Sequence, residues 1–256
     1  MNNSISIFGF TIYFYSLCIL LGIFIAYYLI NKEAKKNNID KDFIFNLVFY
    51  GIIFGILGAR IYYVIFSFDY YKDHLADIIK VWNGGLAIHG GIISGLIFVY
   101  YYCKKKKQDF IKIIDIIVPG LIIAQAFGRW GNFFNQEAYG MMVSKKLLQK
   151  MLIPGFIING MYINGSYYLP TFYIESIWCL IGVILMIIIR NKIKIKKGTL
   201  TAFYLIWYGV GRLVIEYFRT DSLMFFGLKQ AQIISIISII IGLIILFNRK
   251  RELYKE

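Results

Sequence analysis

Six ionisable side chains interrupt long apolar segments of this sequence, and their positions indicate where its chemistry lies. They are Arg60, His89, Asp115, Glu175, Arg212 and Glu216. A charge near the centre of a bilayer costs about 2.5 to 3.5 kcal/mol, so such residues are usually paired or functional. Arg212 and Glu216 are four residues apart and project from one helical face, where they can form a hydrogen-bonded pair. The pair is either a self-neutralising structural contact or part of an anion site.

A histidine followed by two glycines adds a second polar feature. His89 precedes Gly90 and Gly91, whose missing side chains allow a ligand or a neighbouring backbone to approach closely. A single histidine in an apolar segment is often a structural group. Its role as a catalyst therefore depends on the polar groups that the fold places near it.

The segment from 128 to 140 reads Gly-Arg-Trp-Gly-Asn-Phe-Phe-Asn-Gln-Glu-Ala-Tyr-Gly. Its aromatic residues are typical of a membrane interface. No packing period explains its polar residues, Arg129, Asn132, Asn135 and Glu137. We interpret the segment as a polar site on irregular backbone, which membranes tolerate where the backbone lines a cavity. Its arginine and those of the apolar segments predict an anionic ligand.

Seven apolar segments long enough to cross a membrane must position these groups. The chain has 256 residues, 59% hydrophobic and 16% charged, which is more apolar surface than one soluble core needs. A helix crosses the hydrocarbon core with about 20 residues. The predicted spans are 9–30, 43–66, 85–103, 110–128, 171–189, 200–218 and 227–247. We predict an all-α integral membrane protein, a single membrane domain over 1–256 whose first span is not a cleaved signal peptide.

The basic residues predict the orientation of these spans. Of the 28 lysines and arginines, 18 follow the first, third, fifth and seventh predicted spans. They include Lys194 and, in the tail, Arg249, Lys250, Arg251 and Lys255. The positive-inside rule makes that side cytoplasmic and the N-terminus external. The net charge of +14 then favours the anionic inner leaflet, and nucleic acid is not an expected partner.

This orientation predicts one polar cavity toward the outer side of the membrane. Arg60, His89, Glu175, Arg212 and Glu216 all fall in the outer halves or at the outer ends of their spans. Asp115 alone falls on the cytoplasmic side, where we expect a structural role at a helix end.

The stretch between the fourth and fifth spans, 129–170, is too long for a simple connector. Asn159-Gly160 and Asn164-Gly165 lie between short apolar runs and predict a β-hairpin, because both residue types tolerate positive φ. Residues 143–152 combine three lysines with apolar side chains, which predicts an interfacial helix on the outer headgroups. We expect a small hairpin-containing head on the outer side.

The cysteines and histidines predict neither a metal site nor a disulfide framework. Cys18, Cys103 and Cys179 lie in or at the end of apolar spans, and the only histidines are His74 and His89. Their spacings match no metal-ligand or disulfide pattern. We expect no metal and no cofactor.

Residues 128–140 resemble, at every fixed position, the signature Gly-Arg-x-Gly-Asn-Phe-x-Asn-x-Glu-x-x-Gly of the prolipoprotein diacylglyceryl transferases. His89-Gly90-Gly91 resembles that family's His-Gly-Gly motif. Gly209, Arg212, Glu216 and Arg219 resemble its late motif, and Tyr15 and Arg60 are placed like a tyrosine and an arginine of its first two helices. The matches follow the family's order from Tyr15 to the seventh span.

The resemblance implies a transferase of the bacterial cytoplasmic membrane, with its site toward the outer leaflet. The family moves the sn-1,2-diacylglyceryl group of phosphatidylglycerol to the lipobox cysteine of a prolipoprotein, forming a thioether and releasing glycerol phosphate. This is the first step of lipoprotein maturation. The implied partners are phosphatidylglycerol, the signal peptide with its lipobox cysteine, and membrane lipid.

The resemblance also implies roles for individual residues. The catalytic set is Tyr15, His89, Arg129, Arg212 and Glu216, and the phosphatidylglycerol-binding set is Arg60, Gly90, Gly91, Arg129, Asn132, Glu137 and Gly140. The arginines would stabilise the departing phosphate, with Glu216 orienting Arg212. His89 is the first candidate for the base that deprotonates the thiol, and Tyr15 and Glu137 are the alternatives.

The chain departs from the family pattern in one stretch. Before the fifth span the family usually has His-Pro-(Ser/Thr)-Gln-Leu-Tyr-Glu, whereas this chain has Leu169, Phe172 and Ile174 in place of the histidine, glutamine and tyrosine.

Two alternative functions are disfavoured by the sequence. An anion transporter or lipid-binding receptor is disfavoured because the chain shows no inverted repeat. A phosphatidyl transferase would need a carboxylate cluster for magnesium, and no two acids lie close within one span.

Overall fold

The computed structural model describes residues 3–7, 10–192, 195–222, 224–225 and 227–248. Within these ranges the chain forms ten α-helices and three two-stranded antiparallel sheets. Gly9, Lys194 and the tail residues Arg249, Lys250, Arg251 and Lys255, which the sequence interpretation uses, lie outside them. The fold consists of two compact units, Asn31–Ile113 and the combined segments Met1–Ile30 and Ile114–Glu256.

The unit from Asn31 to Ile113 is built on two antiparallel helices. It contains α2 (Lys41–Phe66), α3 (Phe68–Tyr71), the 3₁₀ turns Leu75–Asp77 and Val81–Asn83, and α4 (Ile88–Lys105). The backbones of α2 and α4 approach closely at glycines, since a Cβ on Gly90 would lie 2.4 Å from Gly58 O. Gly91 also faces α2, and a Cβ on it would lie 3.2 Å from Gly55 O.

The other unit contains the remaining elements. A hairpin of β1 (Ser4–Ile7) and β2 (Phe10–Tyr13) leads into α1 (Phe14–Lys36). The later elements are α5 (Phe110–Asn135), α6 (Lys145–Lys150), α7 (Gly155–Gly160), β3 (Tyr162–Ile163), β4 (Ser166–Tyr167), α8 (Thr171–Lys192), α9 (Thr199–Phe218), β5 (Met224–Phe225), β6 (Leu228–Lys229) and α10 (Gln230–Asn248). Helices α1 and α5 each begin in one unit and end in the other.

Five helices are long and apolar enough to cross a membrane, namely α1, α2, α5, α8 and α10. The other two predicted spans also form helices, α4 and α9, but carry more polar residues. Helix α1 begins at Phe14, because residues 10–13 pair in the β1–β2 hairpin.

Helix α5 extends further than the sequence predicts. It continues to Asn135, so residues 129–135 are helical, and the interpretation of the whole 128–140 segment as irregular backbone is wrong. Only its last part is irregular, with positive φ at Gln136 and Ala138. The polar groups of residues 129–135 therefore have the fixed spacing of a helix.

The head between α5 and α8 has its own core. Its buried residues are Phe133, Leu148, Ile153, Ile157, Ile158, Met161, Leu169 and Phe172. The Asn164-Gly165 hairpin is confirmed, with φ of 48° and 83° at the turn between β3 and β4. Asn159-Gly160 instead ends α7, so the hairpin predicted there is wrong. The stretch predicted as an interfacial helix, 143–152, contains the short helix α6, and its position at a membrane interface stays a prediction.

Two tryptophans connect α8 and α9 by hydrogen bonds and ring stacking. Trp178 Nε1 donates to the carbonyl of Trp207 at 2.9 Å, Trp207 Nε1 donates back at 3.0 Å, and the rings stack at 4.2 Å. Gly211 makes room, since its Cβ would lie 2.1 Å from Trp178 Nε1. The contact joins α8 and α9, the helices that carry Glu175 and Arg212.

Asp115 is a buried cap for a helix distant in sequence. Its Oδ2 accepts from Gly198 N at 2.7 Å, and its Oδ1 accepts from Thr201 N at 2.8 Å and from the Thr201 hydroxyl. Gly198, at the N-cap of α9, has no side chain to do this. A carboxylate at a helix N-terminus also interacts favourably with the helix dipole. This agrees with the structural role expected for Asp115.

Candidate functional site

One buried carboxylate joins the arginines of two helices. Glu175, in the first turns of α8, accepts from Arg129 Nη2 at 2.8 Å and from Arg212 Nη1 at 3.0 Å. Its side chain is 4% exposed. The sequence predicts that Arg129 and Arg212 share one site, and the structure brings them to opposite oxygens of the same carboxylate.

The ion pairs continue along α9. Arg212 Nη2 lies 2.6 Å from Glu216 Oε2, which confirms the predicted i, i+4 contact. Arg219 Nε lies 3.9 Å from the same oxygen, and the guanidinium of Arg219 also forms two 3.0 Å hydrogen bonds to Asp221. Three arginines and three acids therefore alternate in one chain of contacts, which we call the arginine network. Its formal charge is balanced.

A phenol completes the inner end of the arginine network. The Tyr208 hydroxyl lies 3.2 Å from Arg129 Nη2 and 3.4 Å from Glu175 Oε1, so it accepts from the first and donates to the second. One turn earlier on α9, the Tyr204 hydroxyl accepts from Gln125 Nε2 at 2.8 Å. Arg129 itself is thus held by Tyr208 and Glu175, while the Tyr204–Gln125 bond joins α9 to α5 one turn away.

The network can bind an anion because its donors are preorganised in a poorly solvated place. Guanidinium groups bind phosphate oxygens in bidentate fashion, and such contacts are stronger where little water screens them. Arg129 is 23% exposed and Arg212 14% exposed, so both can be reached. An anion reaching them would compete with Glu175 for the same donors.

The end of α5 contains a second polar group of predicted residues. Asn132 Nδ2 donates to Glu137 Oε1 at 2.9 Å, and the Glu137 amide donates to the Asn132 carbonyl at 3.0 Å. Asn135 Nδ2 approaches the same carboxylate at 3.4 Å. The Tyr15 ring lies against Gly131, where a Cβ would be 2.4 Å away. Asn132, Glu137 and Tyr15 are thus located around the last turns of α5.

Gly140 lies where three backbone segments meet. Its amide donates to the Leu169 carbonyl at 2.9 Å, and its backbone forms a bridge with Arg219. A Cβ here would lie 2.9 Å from the Cβ of Leu169 and 3.2 Å from Phe218 O. The glycine is therefore required for this crossing in front of the arginine network.

The remaining predicted site residues belong to the other unit. His89 lies in the first turn of α4, with its ring 6.4 Å from that of Tyr62. Gly90 and Gly91 face α2, so the close approach that they allow is to a neighbouring helix.

Arg60 donates hydrogen bonds to the carbonyls of a loop. Its guanidinium donates to Ile78 O at 2.8 Å, Gly84 O at 2.7 Å, Gly85 O at 2.9 Å and Asp77 O at 2.5 Å. It also lies 5.2 Å from the Tyr71 ring centroid, and the residue is buried. Four of its five N–H groups are therefore used to order the loop that leads to α4.

Four residues of the network and its inner end are absent from the predicted catalytic and phosphatidylglycerol-binding sets, namely Glu175, Tyr208, Arg219 and Asp221. Glu175 is recognisable as a charge in an apolar segment, but its contacts with α5 and α9 are not visible in sequence. Tyr208 lies four residues before Arg212 and hence on the same helical face, which is the signal that could have found it. Among the described residues, no cluster of three or more His, Cys, Asp or Glu side chains is arranged to hold a metal ion.

The departures before the fifth span are explained by the head core. Leu169 and Phe172 are buried there, and the Phe172 ring stacks on Phe133 at 4.9 Å. Ile174 packs partly buried against the same core. These positions thus serve apolar packing in this chain.

Comparison with known proteins identifies relatives over nearly the whole length. A family model described as prolipoprotein diacylglyceryl transferase matches residues 2–248. Proteins named phosphatidylglycerol–prolipoprotein diacylglyceryl transferase from Streptococcus pyogenes serotype M5 (strain Manfredo) and serotype M1 are each 50% identical over 242 residues. These alignments cover 94% of this chain and 92% of each relative.

Proposed function

Because the chain belongs to the prolipoprotein diacylglyceryl transferase family, we propose that it transfers a diacylglyceryl group from phosphatidylglycerol to a prolipoprotein. The acceptor is the lipobox cysteine that follows a signal peptide, and the product is a thioether-linked sn-1,2-diacylglyceryl group. This reaction is the first step of lipoprotein maturation, and nucleic acid has no part in it.

The transfer is a displacement at a glyceryl carbon. The thiolate sulfur forms a bond to that carbon while the bond from the carbon to the phosphate oxygen breaks. The electron pair of the broken bond leaves with glycerol phosphate, and the thiol proton passes to a base. The protein must therefore support a thiolate and stabilise a phosphate that gains negative charge.

The observation that carries this proposal is the pair of arginines on opposite oxygens of Glu175. Arg129 and Arg212 are cationic donors at the outer ends of apolar helices, where the phosphate of a lipid can reach them. As charge develops on the leaving phosphate, their contacts can move from Glu175 to the phosphate oxygens. Glu216 and Tyr208 hold the two guanidinium groups from the far side.

The other predicted residues keep separate roles. Asn132 and Glu137 would contact the glycerol or phosphate oxygens from the end of α5. The absence of a side chain at Gly140 leaves room for the backbone near Leu169 and Phe218. His89 is the first candidate for the base, with Tyr15 and Glu137 as alternatives. Gly90, Gly91 and Arg60 were expected to bind phosphatidylglycerol, and the contacts of all three support a role in holding the α4 end in place.

The chain is a multi-pass bacterial membrane protein, and its proposed topology follows the positive-inside rule. We propose seven spans, with α4 and α9 crossing beside the five more apolar helices, in a single membrane domain. The N-terminus would be external, the C-terminus cytoplasmic, and the head of residues 129–170 on the outer side. Its lipid and precursor substrates would then enter from the outer leaflet.

One assay tests the function directly. Purified protein in nanodiscs receives phosphatidylglycerol and a lipobox peptide, with the Cys→Ser peptide as control, and both thioether and glycerol phosphate are measured. We expect both products in equal amounts with the cysteine peptide only. Release of glycerol phosphate independent of the thiol would refute the transferase. His89→Gln and Arg129→Ala should each lose most transfer in folded protein, Arg129→Ala with a lower unfolding temperature because it removes the ion pair with Glu175. Full activity in both would overturn the residue roles.

A further inference from the structure

One exposed surface of the head has no part in the proposed reaction. It comprises α6, the turn that follows and the first turn of α7, and we call it the head surface. Its exposed residues are Lys145, Lys146, Leu147, Lys150, Met151, Leu152 and Phe156. The side chain of Leu148 between them points into the head core and is fully buried. The head surface therefore combines three cations with four large apolar side chains.

The lysines of the head surface have no acidic partners. Residues 138–174 contain no aspartate or glutamate. Within the described part of the chain, no ion pair involves these three lysines, although Lys145 Nζ lies 5.9 Å from the Tyr167 ring centroid. By contrast, the loop between α2 and α4 pairs Lys72 with Asp69 and Lys80 with Asp77. The head is thus the one loop of the proposed outer side with a marked positive excess.

Leucine occupies a strained position at the centre of the head surface. Leu152 follows α6 with φ of 57° and is 87% exposed. Its neighbour closes the helix, since Ile153 N donates to Leu148 O at 3.2 Å. Helices usually place glycine at such a left-handed position, because other side chains adopt it at a cost. At this φ, with its side chain 87% exposed, Leu152 packs little within the described chain, which favours contact with an external apolar partner.

An apolar groove connects the head surface with α8 and α9, two of the helices that carry the arginine network. The groove has a volume of about 280 Å³ and extends from Leu147 and Met151 to Ile174 and Ile215. The last two are the sequence neighbours of Glu175 and Glu216. A lipid in the groove would therefore contact the two helices that carry Glu175, Arg212 and Glu216.

We propose that the head surface docks on the outer leaflet and concentrates anionic phospholipid next to the site, an inference that rests on the proposed function and topology. The lysines contact lipid phosphates, while Leu152, Met151 and Phe156 enter the boundary between headgroups and acyl chains. Cations beside apolar side chains are the pattern of interfacial membrane contacts, and each lysine near an anionic surface strengthens the attraction. Because phosphatidylglycerol is itself anionic, this contact raises the local concentration of the substrate.

Kinetics of the full-length protein test the electrostatic part. Nanodiscs carry phosphatidylglycerol as the only anionic lipid, at varied mole fraction in a zwitterionic background. The variant Lys145→Gln/Lys146→Gln/Lys150→Gln should raise the apparent KM for phosphatidylglycerol about tenfold with kcat unchanged. The matched control Lys104→Gln/Lys105→Gln/Lys106→Gln, on the proposed cytoplasmic side, should keep the wild-type KM. Added salt should raise the KM of the wild type and of this control more than that of the head variant.

Leu152→Gly separates membrane contact from stability. Glycine relieves the backbone strain, so the unfolding temperature should stay the same or rise, whereas the apparent KM should increase. A merely structural leucine would not produce this opposite pair of effects. Wild-type KM values in both head variants would overturn the proposal, whereas a wild-type chain that transfers no lipid would refute the proposed function.

A measurement that does not depend on catalysis distinguishes a failure of the docking proposal from a failure of the proposed function. An environment-sensitive fluorophore on Leu152→Cys should shift to the blue in nanodiscs that contain phosphatidylglycerol, relative to zwitterionic ones. The same fluorophore on Asn164→Cys, at the exposed tip of the β3–β4 hairpin, serves as the control and should shift less. Labelling of the unmodified chain measures the background from its own cysteines. Equal spectra for Leu152→Cys in both lipids would overturn the docking proposal even if the enzyme were inactive.

Discussion

Replacing Glu175 with glutamine should weaken the fold and strengthen anion binding at the same time. The substitution keeps the shape of the side chain and removes the charge that Arg129 and Arg212 share. Contacts of 2.8 and 3.0 Å to a carboxylate that is 4% exposed are poorly screened by water. At an effective dielectric constant of about 20, one such pair is worth about 4 kcal/mol.

The loss of stability should be about 3 kcal/mol. Removing one partner of a buried ion pair costs about 3 to 5 kcal/mol. The lower end applies because Arg212 keeps its 2.6 Å contact with Glu216 and Arg129 keeps Tyr208. Thermal unfolding in detergent measures this loss. The matched control is Asp221→Asn, which breaks the ion pair at the exposed end of the network and should cost less than about 1 kcal/mol.

The anion effect should have the opposite sign. Without the Glu175 charge, an incoming phosphate no longer competes for the two guanidinium groups. Inhibition of transfer by glycerol phosphate should therefore become about tenfold tighter, equivalent to about 1.4 kcal/mol. If Glu175→Gln unfolds at the wild-type temperature, or if glycerol phosphate inhibits it no better than the wild type, the arginines are not held for an anion in this way.

Three further outcomes follow from the contacts outside the arginine network. Asp115→Asn should lower the free energy of unfolding by about 2 to 3 kcal/mol, because the amide cannot accept from both ends of the α9 cap; thermal unfolding measures this, and wild-type stability would contradict it. Arg60→Met should accelerate hydrogen exchange over residues 77–85 by releasing four carbonyls, and unchanged protection would show that the loop is ordered by other contacts. In the same loop, hydrogen bonds from Lys80 and then Tyr70 lower the pKa of Asp77 below its ordinary value. The stability that Asp77 contributes is thus present above that ordinary pKa and lost as pH falls through the lowered one. The protection of the loop amides, relative to their intrinsic exchange rates at each pH, should therefore fall in acid in the wild type but not in Asp77→Asn.

Much of the fold is determined by local rules that can be read in the chain. Runs of about 20 apolar residues form helices because a backbone in hydrocarbon must satisfy its own hydrogen bonds. The spacing of Arg212 and Glu216 places them on one helical face, and the structure pairs them. Asn164-Gly165 forms the predicted hairpin turn because both residues accept positive φ. Each of these outcomes depends on neighbours within a few residues.

Other features depend on which helices pack together, and sequence spacing does not contain that information. Glu175 joins Arg129 and Arg212, on helices α5 and α9. Asp115 caps a helix that begins more than eighty residues later. Arg60, expected to bind lipid phosphate, donates to loop carbonyls that only the folded chain brings to it. The apolar helices and the family can thus be read from the sequence, whereas the pairing of the buried charges cannot, because it depends on which helices pack against one another.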